Sequence, residues 1–138
     1  MLGDIHAQLS ACLAGEREYN ALLARHGAAT VAAYGDALQL YSERMARAAI
    51  RNIPDGVYRF EDHIDGLGEN PQPVRFCVAM TVSGDEITVD WAGTSPQVRG
   101  GINAPLSFCK SNVYAALRSV MPTDVPNCHG YTLPIHVL

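Results

Sequence analysis

Between Arg51 and Val57 the spacing of the apolar residues changes, and that change constrains the fold class more than any other feature of the chain. Upstream, Val31, Tyr34, Leu38, Tyr41, Met45 and Ala48 alternate steps of three and four, which predicts a helix with an apolar seam in need of a partner. Downstream, "VRFCVAMTV" places Val74, Phe76, Val78, Met80 and Val82 at every second position. Side chains two apart share one face of a strand, so this run predicts a strand with one side toward a core. The link "NIPDG" fits the break. A proline disfavours helix in the residue before it, and Asp-Gly favours a turn.

The same reasoning extends outward from this point. Ile5, Leu9, Cys12, Leu13, Leu22 and Leu23 fit a first helix over Asp4 to His26, closed by Gly27. The short connection Gly27–Thr30 predicts an antiparallel helical hairpin. "VYRFEDHID" predicts a strand with Tyr58, Phe60 and Ile64 on one side. "SGD" predicts a hairpin turn, and "EITVDW" a returning strand with Ile87, Val89 and Trp91 inward. "DWAGTSPQVRGGIN" is then a crossover loop into a helix. That helix has Leu106, Cys109, Val113, Ala116, Leu117 and Val120 on one face, with Asn103 or Ser107 as its cap. "LPIHVL" predicts a short terminal strand. The expected class is α+β: a helical hairpin, a three-stranded antiparallel sheet, a crossover loop, one further helix and a terminal strand.

At 138 residues, 48% apolar and 17% charged, residues 1–138 read as a single globular segment. The chain begins in helical pattern and ends in strand pattern, which reads as a fragment of a larger subunit or a member of an oligomer that supplies missing cover. A net charge of −4 with Lys110 as the sole lysine argues against a nucleic-acid surface. No run approaches the roughly 18 apolar residues of a membrane span, and no segment has the form of a signal peptide. The four cysteines, Cys12, Cys77, Cys109 and Cys128, lack Cys-x-x-Cys spacing. They read as reduced thiols, mostly buried, in a cytoplasmic protein.

Few residues suggest chemistry by themselves. Glu61, His63 and Asp65 share one face of a predicted strand and are the candidate metal ligands. Alternate strand residues stand about 6.5–7 Å apart and do not converge, so a solvated polar face is the simpler reading. The crossover loop lacks the Lys-Ser/Thr of a phosphate-binding P-loop and the Gly-x-Ser-x-Gly of a nucleophile elbow. Gly100 and Gly101 ahead of a helix are compatible with anion binding, or simply with a tight connection. Cys128 beside His129 does not make a nucleophile–base pair, because such partners meet across a fold. The residues alone yield no self-sufficient active site.

Four blocks in order carry a resemblance: "GDIHAQLSAC", "IPDGVYRFEDHIDGLG", "ITVDWAGTSPQVRGGIN" and "VPNCHGYTLPIHV". On these the chain resembles the hydantoinase B/oxoprolinase family. That family includes the B-type subunit of ATP-dependent N-methylhydantoinases, the C-terminal half of 5-oxoprolinase, and the alpha-type subunits of acetone and acetophenone carboxylases. The resemblance implies a parent subunit several hundred residues long, with the metal-binding His/Asp motifs upstream of this segment. The "DGLGEN" turn carries fewer carboxylates than the family pattern, which weakens a metal role for Asp65. The implied parent chemistry is ATP-dependent hydrolysis of a cyclic amide such as a hydantoin or 5-oxoproline, or carboxylation of a ketone. ATP, with magnesium or manganese, is implied for the complex and its A-type subunit. No cofactor is expected in this chain, and no activity from it alone. Asp90 and Arg99 are the candidate catalytic residues. Gln97, Asn103, Gly100 and Gly101 are the candidate ligand or interface residues. A homo-oligomer is expected, and the competing expectation is a pure interaction module whose helical seam, Val31 to Ala48, docks a partner chain with no small molecule bound.

Overall fold

The computed structural model describes residues 2–66, 68 and 70–138. Positions 67 and 69, within the "DGLGEN" turn, lie outside the described residues. The chain divides into two compact units, Met1–Leu38 and Gln39–Leu138.

The first unit is helical. Helix α1 spans Leu2–His26, and helix α2 spans Ala28–Ile50, its N-terminal part in this unit. Gly27 is the single residue between them, shorter than the expected Gly27–Thr30 link. Its φ of 79° suits glycine, and its N–H donates to the Leu23 carbonyl at 2.8 Å, closing α1. The packed face expected of a hairpin is not found among the described residues. Ile5, Leu9, Leu13, Leu22, Tyr34 and Leu38 are exposed, and α1 buries no residue. Cys12 is exposed as well, whereas Cys77, Cys109 and Cys128 are half-buried; all four are free thiols.

In the second unit α2 buries Ser42, Ala46 and Ile50, spaced four apart on one face. This face is offset from the predicted seam, whose Tyr41 and Ala48 stay exposed. The expectation followed the apolar letters, while the buried face starts with Ser42 and half-buried Gln39, polar residues with hydrogen-bond partners. Arg47 donates to Glu43 at 2.9 Å, Asp85 at 2.9 Å and Glu86 at 3.1 Å, and Arg51 donates to Asp85 at 2.6 Å. These bonds tie the end of α2 to the turn between the second and third strands. They hold the Asp85 carboxyl below the usual carboxylate range, through the Arg51 hydrogen bond first.

Four strands form one sheet in the order β1 (Gly56–Ile64), β2 (Val74–Ser83), β3 (Glu86–Asp90), β4 (Ile135–Val137). The first three are antiparallel neighbours as expected. The terminal strand joins the same sheet, parallel to β3, making it four-stranded and mixed. A parallel neighbour requires a crossover, which helix α3 (Leu106–Val120) and its flanking loops supply. Ile50, Val82, Ile87, Val113, Leu117, Val125 and Ile135 form the core between the sheet and the two helices. Of the face predicted for α3, Leu106, Ala116 and Val120 are exposed. Pro105 takes the helix cap position without a side-chain bond, so neither Asn103 nor Ser107 caps α3.

Candidate functional site

The crossover loop begins where β3 stops. Asp90, the last residue of β3, accepts the Ala92 N–H on its carboxylate at 2.8 Å and starts the turn. β3 pairs with β2 only as far as Ala79, so the N-terminal half of β2 would leave unpaired backbone groups on that side. Two loop hydroxyls occupy this stretch. Thr94 Oγ1 accepts the Cys77 N–H and donates to the Cys77 carbonyl, both at 3.0 Å. Ser95 accepts the Arg75 N–H on Oγ and donates its own N–H to the Arg75 carbonyl, both at 2.9 Å. The loop thus replaces β3 along β2, and the Arg75 guanidinium donates to the Gly93 carbonyl at 2.8 Å.

Asn103 closes the second half. Its side chain accepts the Val98 N–H at 2.9 Å and donates to the carbonyls of Val98 at 2.7 Å and Gly100 at 2.9 Å. One amide group therefore does the work of a short stretch of paired backbone, and its three bonds hold residues 98–103 as a compact loop. The fold that results overhangs a cavity of about 650 Å³ walled by Val74, Phe76, Trp91, Val98, Asn103 and Phe108. Among the described residues no charged side chain lines it, and the Trp91 indole N–H in its wall is buried with no partner.

Of the candidate residues, Gln97 and Asn103 line this cavity, whereas Asp90, Arg99, Gly100 and Gly101 do not. Arg99, Gly100 and Gly101 are exposed, and the two glycines precede α3 by several residues, away from its N-terminal amides. Sequence reasoning missed Thr94, Ser95 and Phe108. A hydroxyl pair just past a strand end was a usable signal for the first two. Phe108 fell outside the predicted apolar face of its helix and gave none.

The proposed metal set is dispersed. Strand β1 ends at Ile64, so Asp65 lies beyond it. The Glu61 carboxylate is 3.8 Å from His63 Nε2 and 3.6 Å from Arg75 Nη1, and its other oxygen is 3.8 Å from Cys77 Sγ. Among the described residues no group of three His, Cys, Asp or Glu side chains is arranged to hold a metal ion. Cys128 is half-buried, and His129 Nδ1 lies 3.2 Å from Thr132 Oγ1, within its own turn. No described helix is long and apolar enough to cross a membrane.

The arrangement is that of a shaped surface: a cavity under a pinned loop whose described wall holds neither a charge nor a nucleophile–base pair. Known proteins contain segments of this kind. The profile of the hydantoinase B/oxoprolinase family matches residues 1–138, and the chain belongs to that family. It is 38% identical to a Pseudomonas sp. (strain NS671) protein named as the B-type chain of a D-/L-hydantoinase, across 100% of this chain and 25% of that protein. It is 36% identical to the beta chain of the caprolactamase of Pseudomonas jessenii, across 93% of this chain and 22% of that one. The crystal structure of ATP-dependent caprolactamase from Pseudomonas jessenii superposes with a TM-score of 0.85 at 30% identity, covering 99% of this chain and 23% of that chain. The chain thus spans about a quarter of the length of these relatives.

Proposed function

We propose that this chain is a segment of a B-type subunit whose whole carries out ATP-dependent hydrolysis of a cyclic amide together with an A-type, ATP-binding partner. The observation that carries the reading is the superposition on an ATP-dependent caprolactamase over 99% of this chain. The names of the hydantoinase and caprolactamase relatives, each one chain of a set, support a partner chain. ATP with magnesium or manganese belongs, in this reading, to the complex. Among the described residues no three-ligand cluster fits the metal, and the crossover loop has no P-loop lysine, so Arg99 alone could meet a phosphate that the rest of the complex holds. Self-association and a cytoplasmic location complete the reading, the latter supported by four free thiols.

The segment's part is to shape a surface near the reacting centre. Arg99, exposed on the loop pinned by Asn103, suits a carboxylate or phosphate held by two parallel N–H donors. Asp90 anchors the other end of the loop. The test is to assemble the full B-type subunit with its A-type partner and supply hydantoin, 5-oxoproline or caprolactam with ATP. Ring opening of one of them, coupled to ATP consumption, is expected. No turnover of any, or turnover indifferent to ATP, overturns the reading. Arg99→Ala is expected to lower kcat/KM by about tenfold or more. Asp90→Asn keeps an acceptor for the Ala92 N–H and removes only the charge. Unchanged kinetics in both variants would strike both residues from the site. A second reading, a docking module without its own ligand, is favoured by the exposed apolar residues of α1 and early α2. Deleting that stretch would then abolish assembly while leaving the cavity intact.

A further inference from the structure

We infer that Asn103 is a positioning residue: its side chain holds the backbone on both sides of Arg99 and so sets where that guanidinium stands in the whole subunit. The inference deepens the proposed function and rests on it, since it concerns the carboxylate or phosphate that Arg99 meets there. Each contact concerned lies within one loop, residues 98–103.

The residues that Asn103 bonds are the immediate neighbours of Arg99. Asn103 Oδ1 accepts the Val98 N–H at 2.9 Å, and Nδ2 donates to the carbonyls of Val98 at 2.7 Å and Gly100 at 2.9 Å. One planar amide thus fixes the peptide that enters Arg99 and the carbonyl one residue beyond it. Val98 is half-buried in the cavity wall and seats this part of the loop, while Arg99 beside it is exposed. No described hydrogen bond or ion pair engages the Arg99 guanidinium. Arg75, which also meets the loop, is by contrast already engaged: it donates to the Gly93 carbonyl at 2.8 Å and lies 3.6 Å from the Glu61 carboxylate.

The clasp adds little to the fold. Thr94 and Ser95 already pin the start of the loop along β2, and Pro105 caps α3. Residues 96–104 make no described hydrogen bond to any other part of the chain. The three Asn103 bonds are solvent-exposed, so the groups they join can reach water when the bonds are lost. What the bonds supply is local order. An arginine on a loose loop must give up the freedom of its backbone, as well as of its side chain, each time it binds. A backbone fixed beforehand removes the first of those costs. Two parallel N–H donors also meet a carboxylate or phosphate as a unit only from a fixed origin. The half-buried Val98 and the Asn103 amide together provide that origin for Arg99.

A double-mutant cycle tests this in the full B-type subunit assembled with its A-type partner, on whichever of hydantoin, 5-oxoproline or caprolactam it opens with ATP. Asn103→Ala should lower kcat/KM about fivefold or more, with the urea midpoint little changed. In the Arg99→Ala background the same change should have no further effect, within about twofold, because the group it positions is already gone. Asn103→Gln keeps the amide but displaces it by one methylene. It should show the same dependence on Arg99, and it serves in place of the alanine variant where that one does not assemble. Effects that add in full in the double variant overturn the inference alone, since Asn103 then acts on something other than Arg99. Unchanged kinetics in either single variant overturns it as well. A wild-type assembly without ATP-coupled ring opening fails before any variant is made, and overturns the proposed function and this inference together.

Discussion

The crossover loop, Trp91 to Pro105, and the terminal loop, Pro122 to Pro134, draw on the same turn-forming residues, each with prolines and at least one glycine, asparagine and threonine. Their places in the molecule differ. The crossover loop is a surface feature in which Gln97, Arg99 and Gly101 are exposed, held by the hydroxyls of Thr94 and Ser95 and the amide of Asn103. The terminal loop is built into the core. Val125, Gly130, Tyr131, Thr132 and Pro134 are buried, and the ring of Tyr131 meets that of Tyr114 edge-on at 6.4 Å. Burial raises the Tyr131 phenol above its ordinary pKa. Ser42 Oγ donates to the Pro126 carbonyl at 2.8 Å, the Gly130 N–H donates to Gln39 Oε1 at 2.6 Å, and Arg118 donates to the carbonyls of Pro122, Thr123 and Val125. A loop held by its own side-chain bonds can change its exposed residues without unfolding the domain. A loop that fills the core cannot. The first can vary without loss of the fold, and the second is scaffold.

The sharpest way to break this contrast is Gly130→Ala. A Cβ there would lie 2.1 Å from the Gln39 carbonyl oxygen and 2.9 Å from its carbon, both backbone atoms of α2. Something must shift, and a loss of about 3 kcal/mol is expected in urea unfolding. Ser42→Ala should come next, at roughly 1–2 kcal/mol, since it leaves the Pro126 carbonyl short of a donor in a buried contact. Asn103→Ala should cost about 1 kcal/mol or less in global stability, because the groups it frees can reach water. Its effect should appear locally, as faster proteolytic cutting between Val98 and Ile102, with the urea midpoint little changed. A loss as large as that of Gly130→Ala would mean the crossover loop is scaffold too.

The smallest expected effect concerns acid. The Arg51 and Arg47 guanidinium groups hold Asp85 below the usual carboxylate range. Its folded pKa is depressed, so its stabilising contribution is present above the unfolded-state value and is lost as the pH falls through the folded one. Asp85→Asn should therefore lower the thermal midpoint slightly at about pH 6, and the difference should vanish near about pH 2. A difference that persists in acid would assign the contact to packing.

How far the sequence was legible depends on what each residue was read from. The alternation Val74 to Val82 gave the sheet's second strand, and the period change at "NIPDG" located the join of helix and sheet, because both are local consequences of side-chain geometry. The seam on α2 was placed off the buried stripe: Met45 packs against the core, but Tyr41 and Ala48 stay exposed. Its buried stripe holds Ser42, which an apolar count passes over, and what makes burial of that hydroxyl tolerable is a carbonyl 84 residues away. Asn103 was read as a helix cap or a ligand contact. Its partners are the backbone groups of Val98 and Gly100, which only the loop's closure brings within reach. Asp90 was legible as a residue at a strand end, but its turn with Ala92 was not.

Hydrophobic period, turn residues and four ordered motifs sufficed to set the α+β class and the hydantoinase B/oxoprolinase family, since each depends on neighbours a few residues apart. Tertiary structure alone decided that the last strand runs parallel to β3, that Gly130 must have no side chain, and that Thr94 and Ser95 finish the edge β3 leaves open. Each of those depends on which distant backbone groups arrive within hydrogen-bonding or van der Waals distance. Chain order does not encode such meetings locally, and the packed core fixes them.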